Sequence, residues 1–162
     1  MHIPKGNLFP NNKDGKARSE IYVMGNRNPY RISVDKHTGF LYWGEVGPDA
    51  SNDSETRGPR GYDEVNQARK AGYFGWPLFV GDNFAYNRYD FATKVSGPRF
   101  DPLKPVNEAP QNTGLVNLPP AQPAFIYYPY AESPEFGPVV GKGSRNAMAG
   151  PVFYSSDYTN SN

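Results

Sequence analysis

Hydrophobic and polar positions alternate in short runs along this chain, and glycine or proline interrupts them before a helical period of 3.6 can persist beyond about two turns. Residues 20–24 (EIYVM) form a short β-rich run closed by Gly25 and Asn26. After Arg27-Asn28-Pro29, residues 30–34 (YRISV) alternate, residues 35–39 (DKHTG) offer a five-residue turn, and residues 40–43 (FLYW) resume the pattern. This order predicts a β-hairpin. Residues 63–70 (DEVNQARK) fit one helical turn or an extended segment, and the AGYFGWP that follows ends either. Residues 125–128 (FIYY) and 152–154 (VFY) read as buried strands. Between them and the first strands lies a loop-rich stretch, 96–123, with prolines at 98, 102, 105, 110, 119, 120 and 123. A loop of that length in a compact domain is functional or covers something.

Short strands, tight turns and long connections predict an all-β repeat architecture of the propeller type, built from four-stranded blades. Five or six strands fill about one and a half blades, too few to bury both faces of a sheet. Composition agrees. The 17 glycines and 17 prolines are 34 of 162 residues, well above the usual roughly 7% and 5%. Hydrophobic residues make up 37%, so the expected core is thin or shared, while 15% aromatic residues argue against a disordered tail. A net charge of +1 leaves no electrostatic footprint for nucleic acid. No apolar run approaches the ~18–20 residues of a membrane span, and residues 1–6 lack the apolar stretch of a signal peptide. The absence of cysteine removes disulfides, thiolate metal sites and cysteine nucleophiles together.

The order IYVMGNRNPYRISVDKHTGFLYWGEVGPD, GYDEVN and AGYFGWP resembles the glucose/sorbosone dehydrogenase family. The match is best over 20–77 and continues more weakly through FIYYPYAESPEF and GKGSRNAMAGPVFY. The resemblance implies that residues 1–162 are an internal fragment of one six-bladed propeller that uses pyrroloquinoline quinone and calcium to oxidise an aldose or polyol. It also implies a periplasmic or extracellular protein passing electrons to a cytochrome c or another acceptor. The remaining blades of the parent propeller are then this segment's partners.

A quinone bearing several carboxylates needs guanidinium and amide donors. Arg27 and Asn28, on a turn held by Pro29, match the family's cofactor-binding Arg and Asn; read without the resemblance, they are polar residues of a turn. Calcium takes six to eight oxygens, many of them backbone carbonyls. Gly47 and Pro48 match the pair whose carbonyls hold the cofactor-bound calcium. Asp63 and Glu64 match the acidic pair of a second, structural calcium site, with the Phe74 carbonyl as a further ligand and Asp82 a weaker candidate. The bland alternative for Asp63 and Glu64 is a solvated acidic pair.

Residues 49–62 form an insert relative to compact members of the family. Its charged, Gly/Ser/Asn-containing composition reads as solvated surface, although its oxygens suit calcium or sugar hydroxyls, and Asn52-Asp53-Ser54 fits a glycosylation sequon. Sugar oxidation also requires a base, and histidine suits that role. His2 and His37 are the two histidines here, and neither matches the family's base, so the fragment alone is expected to be inactive. Lys142 and Arg145 read as a basic surface loop or as contacts near the cofactor. Aromatic residues at 84–86 and 125–130 read as core before sugar-stacking surface. A propeller retained for carbohydrate or protein binding without catalysis is the alternative, favoured slightly by Val46, where many members carry a polar residue.

Overall fold

The computed structural model describes residues 3–142 and 146–157. Its strands, in chain order, are β1 (Val23–Met24), β2 (Pro29–Val34), β3 (Leu41–Glu45), β4 (Tyr62–Ala68), β5 (Gly72–Tyr73), β6 (Phe79–Val80), β7 (Phe84–Ala85), β8 (Asn87–Asp90), β9 (Val95–Arg99) and β10 (Ile126–Pro129). A single helical turn, α1 (Gly137–Val140), and a 3-10 turn, Ser155–Asp157, complete the regular structure. The molecule is all-β, as its pattern predicts.

The centre is a four-stranded antiparallel sheet in the order β10-β4-β3-β2. The predicted hairpin is β2 and β3, joined by the DKHTG turn. Asp35 closes that turn: its backbone N–H donates to the Phe40 carbonyl at 2.9 Å, and its carboxylate accepts from the His37 N–H at 3.0 Å and the Thr38 hydroxyl at 2.5 Å. The bonds that its carboxylate accepts, the one from Thr38 foremost, lower the Asp35 carboxyl to about 2. Arg31, at φ 60°, sits where the β2–β3 register slips between Tyr30 and Ile32, the mark of a β-bulge. Residues 63–70 resolve in favour of the strand, because β4 pairs on both sides, with β3 and with β10.

The core is divided in two. Trp43, Ala68 and Phe74 form one cluster, with Tyr22, Val23 and Leu41 packed against it, and the Trp43 and Phe74 rings meet edge to face at 4.7 Å. Tyr73, Leu78 and Phe79 form the second, covered by Phe100, Leu118 and Ala121. The loop-rich stretch at 96–123 therefore roofs part of the core. It is tied down by bridges between Val106 and Asn117 and between Tyr73 and Ala121.

Three strand expectations are corrected. Of residues 20–24, Val23–Met24 alone is strand, and it pairs in parallel with β5. β10 lies at a sheet edge with Ile126 49% exposed, so it is half-buried and not a fully buried strand. Residues 152–154 form no strand. Phe153 is exposed, and Tyr154 is held through its side chain, its hydroxyl donating to Asp35 Oδ2 at 2.7 Å. Among the described residues no sheet closes on itself.

Candidate functional site

The site forms at the end of β3, where the alternation that buries Trp43 buries Glu45 as well. One Glu45 carboxylate oxygen, Oε1, accepts the backbone N–H groups of Arg27 and of Asn28, the latter at 3.2 Å. The other, Oε2, accepts from Trp43 Nε1 at 3.2 Å and from Asn66 Nδ2 at 3.5 Å. A carboxylate in β3 thus fixes the turn that leads into β2. That turn is locked again from the following loop: Val46 N–H donates to the Asn28 carbonyl at 3.1 Å, and Arg27 Nη1 donates to the Val46 carbonyl at 3.0 Å. The Arg27 guanidinium lies 5.5 Å from the centre of the Trp76 ring, within cation–π range. Arg27 and Asn28 are both exposed, although their backbone N–H groups are fixed on Glu45.

Asp63 and Glu64 are buried, which overturns the reading of a solvated acidic pair. Being adjacent on β4, they are directed to different partners. Asp63 Oδ1 accepts the Gly47 N–H at 2.8 Å, fixing the loop after β3. Glu64 Oε1 accepts the Gly81 N–H at 2.5 Å, and its Oε2 accepts from Asn66 Nδ2 at 3.0 Å. Burial is the main cause that pushes the Glu64 carboxyl up to about 7, and the neighbouring Glu45 and Asp63 add to it; Glu45 is itself raised by burial.

The loop carrying Gly47 and Pro48 fits this end of the sheet only because two glycines meet opposing backbone. A Cβ on Gly47 would lie 1.8 Å from the Tyr62 carbonyl oxygen, and one on Gly61 would lie 1.6 Å from that of Pro48. Arg27, Glu45, Gly47, Pro48, Glu64 and Phe74 surround a cavity of about 10 Å³, with Trp76 in its wall. Such a volume holds about one water-sized particle. Of the residues expected from sequence, Asn28 adjoins this cavity through its backbone bond to Glu45, and Asp63 acts from behind it through Gly47. Asp82 is exposed on the turn after Gly81.

Among the described residues, no three His, Cys, Asp or Glu side chains gather closely enough to hold a metal. A cation in the small cavity would meet two carboxylates, those of Glu45 and Glu64, and take its other oxygens from backbone carbonyls. That donor set suits a hard ion such as calcium.

Sequence reasoning missed Glu45, Asn66 and Trp76. The signal for Glu45 was present: it shares the inward phase of β3 with Trp43, and a carboxylate there must be buried. His37 is exposed on the hairpin turn, its ring 4.3 Å from that of Tyr154, and is no part of the site. Lys142 is an exposed residue paired with Glu132 at 3.4 Å. His2 and Arg145 lie outside the described residues.

The insert at 49–62 is more than solvated surface. Ser54 and Gly58 exchange backbone hydrogen bonds of 2.8 Å, the Asn87 N–H donates to the Arg57 carbonyl at 3.1 Å, and the Arg57 guanidinium stacks 4.1 Å from the Tyr89 ring centre. Folded in this way, the insert walls a second cavity, of about 480 Å³. No helix among the described residues is long and apolar enough to cross a membrane.

The family model described as glucose/sorbosone dehydrogenase matches residues 2–116. The chain is 36% identical to the aldose sugar dehydrogenase YliI of Escherichia coli (strain K12) over 76 residues, 47% of this chain and 17% of that protein. It is 28% identical to quinoprotein glucose dehydrogenase B of Acinetobacter calcoaceticus over 134 residues, 76% of this chain and 25% of that protein. The HIPL1 protein of Arabidopsis thaliana is 29% identical over 105 residues, 64% of this chain and 13% of that protein. The chain thus spans at most a quarter of the length of these relatives. No solved structure matches significantly. With most of its length matched by the family model, and the matched segment carrying both the Arg27 turn and the buried Glu64, the chain belongs to the glucose/sorbosone dehydrogenase family.

Proposed function

We propose that the chain is the quinone- and calcium-binding portion of a sugar dehydrogenase, with the remaining blades of a six-bladed propeller in the rest of the protein. One observation carries this reading: Arg27, Glu45, Gly47, Pro48, Glu64 and Phe74, drawn from separate stretches of sequence, meet around a single ion-sized cavity. The names of two relatives, an aldose sugar dehydrogenase and a quinoprotein glucose dehydrogenase, support the substrate class and the cofactor.

In this reading the exposed Arg27 guanidinium and Asn28 amide bind the carboxylates of pyrroloquinoline quinone. Glu45 orients both by holding their backbone N–H groups. The Gly47 and Pro48 carbonyls serve a calcium ion at the cofactor, and Asp63 keeps that loop in place through the Gly47 N–H. Glu64 and the Phe74 carbonyl serve a second, structural calcium, the one ion for which the cavity has room. Two buried carboxylates facing one another without a lysine or arginine ion pair among the described residues are what a divalent cation relieves. When bound, the quinone supplies a two-electron acceptor for oxidation of the sugar carbon, and calcium supplies the charge that polarises it.

His37, exposed and stacked on Tyr154, is not positioned to take the sugar hydroxyl proton. The base is therefore assigned to another part of the protein, and residues 1–162 alone are inactive. Electrons pass to a cytochrome c or another acceptor in a periplasmic or extracellular setting. The test is dye-linked oxidation of aldoses by the full-length protein after reconstitution with the quinone and calcium. Oxidation that requires both is the expected result. Quinone-independent sugar binding with no oxidation would replace this reading by a carbohydrate-binding propeller.

A further inference from the structure

Glu45 reaches both halves of the site. On the sheet it stands between Pro29 of β2 and Glu64 of β4, its partners across the two ladders. The side chain is buried, and its two oxygens face different tasks. Oε1 accepts the backbone N–H groups of Arg27 and Asn28, the turn that presents two exposed side chains. Oε2 takes Asn66 Nδ2, and the same amide carries on to Glu64 Oε2 at 3.0 Å. Arg27, Glu45 and Glu64 all line the ion-sized cavity. The next residue tightens the junction, since Val46 N–H donates to the Asn28 carbonyl and the Val46 carbonyl accepts Arg27 Nη1.

Two opposed buried carboxylates push one another apart unless a cation joins them. Glu64 is tethered by the Gly81 N–H on its Oε1, at 2.5 Å. The tether of Glu45 is the turn itself. Repulsion between the two side chains therefore bears on the bonds to Arg27 and Asn28, and a cation that compensates both charges leaves Glu45 seated on them. Filling the cavity and fixing the turn become one equilibrium, and coupling between two sites is reciprocal.

We propose that Glu45 is a positioning residue that couples the ion in the small cavity to the Arg27–Asn28 turn: calcium there orders the turn before any cofactor arrives, and a ligand held by the turn tightens calcium in return. That the ligand is the quinone rests on the dehydrogenase reading above, whereas the coupling of ion to turn rests on the bonds of Glu45.

The experiment is hydrogen–deuterium exchange, resolved to single amides, of the full-length quinone-free protein at pH 8 with saturating calcium and with a chelator. It is run on the parent and on Glu45→Gln, beside an absorbance titration of the parent with pyrroloquinoline quinone. Calcium is expected to slow exchange of the Arg27 and Asn28 amides about tenfold in the parent. The Asp35 and Gly39 amides, bonded in the turn at the opposite end of the hairpin, are expected to change by no more than about twofold, which separates local coupling from a general gain in stability. Glu45→Gln keeps an oxygen for both N–H groups and loses the charge, so its Arg27 and Asn28 amides are expected to respond by no more than about twofold. Parent amides at 27 and 28 that ignore calcium, or slow only as much as those at 35 and 39, overturn the coupling whether or not the variant folds. A parent-like response in Glu45→Gln overturns it as well. Sugar oxidation that needs quinone and calcium, in a protein whose turn ignores calcium, removes the coupling and leaves the dehydrogenase reading in place. Calcium-dependent ordering that Glu45→Gln loses, in a parent that binds no quinone, upholds the coupling and removes the dehydrogenase reading instead.

Discussion

Glu45 and Glu64 stand directly opposite one another on β3 and β4, and a single amide, Asn66 Nδ2, reaches the Oε2 atoms of both, at 3.5 and 3.0 Å. Two carboxylates so placed repel one another unless one is protonated or a cation joins them. The local energetics of the site follow from that alternative.

Replacing Glu64 with glutamine removes one of the two charges while keeping an oxygen for the Gly81 N–H. In the full-length protein, Glu64→Gln is expected to abolish the rise in Tm that calcium produces in the parent. It is also expected to raise the calcium-free Tm at pH 8, because an uncompensated buried charge is gone. Differential scanning calorimetry with calcium and with a chelator reads both effects, and a parent-like calcium response in the variant would exclude Glu64 as a ligand.

Acidity should act on the same carboxylate. Its folded pKa, about 7, lies above the ordinary 4.5 chiefly through burial. The folded, calcium-free protein therefore binds more protons than the unfolded chain between those values, and loses stability as pH rises from about 4.5 toward 7. Calcium must displace that proton, so its affinity is expected to increase by up to about tenfold per pH unit below 7 and to level off above it. Titrations at pH 5.5, 6.5 and 7.5 check this; an affinity independent of pH would contradict it.

The glycine at 47 has no room for a side chain. Gly47→Ala drives a Cβ to 1.8 Å from the Tyr62 carbonyl, and a loss of about 3 kcal/mol or more is expected from backbone overlap at a buried site. Gly150→Ala, where a Cβ meets nothing within 4 Å, should stay within about 0.5 kcal/mol of the parent. Urea denaturation of the two full-length variants measures the difference.

Arg27→Lys keeps the charge and loses the planar fork. The bond to the Val46 carbonyl and the stacking on Trp76 both depend on that shape. Quinone affinity, followed by absorbance titration, is expected to fall about tenfold. Unchanged affinity would place the quinone elsewhere.

The hairpin of β2 and β3 was legible because its alternation and its DKHTG turn agree with one another. The short motifs likewise disclosed the family, and they singled out Arg27, Gly47 and Glu64, which line one cavity. The strand predicted at 152–154 failed because hydrophobicity does not reveal whether a neighbouring strand exists to complete the ladder; Tyr154 bonds to Asp35 through its hydroxyl instead. The loop character of 49–62 hid its role in the same way. Arg57 looks like surface charge in sequence, and only the approach of Tyr89 and Phe91, more than thirty positions away, turns it into part of a wall. Glu45 escaped notice for a different reason: the partners of its Oε1 are backbone N–H groups, which every residue but proline carries.

The stem of the insert is closed on itself. Ala50 N–H donates to the Pro48 carbonyl, Gly61 N–H returns to the Ala50 carbonyl, both at 2.8 Å, and Tyr130 N–H takes the Gly61 carbonyl at 2.9 Å. These bonds fix the entry and exit of the loop independently of what lies between 51 and 60. The arrangement is modular: a segment of another length or composition can be grafted between the two anchors without disturbing Gly47, Asp63 or Glu64. The outer wall of the larger cavity can then diverge, or be engineered, while the residues beneath it stay constant.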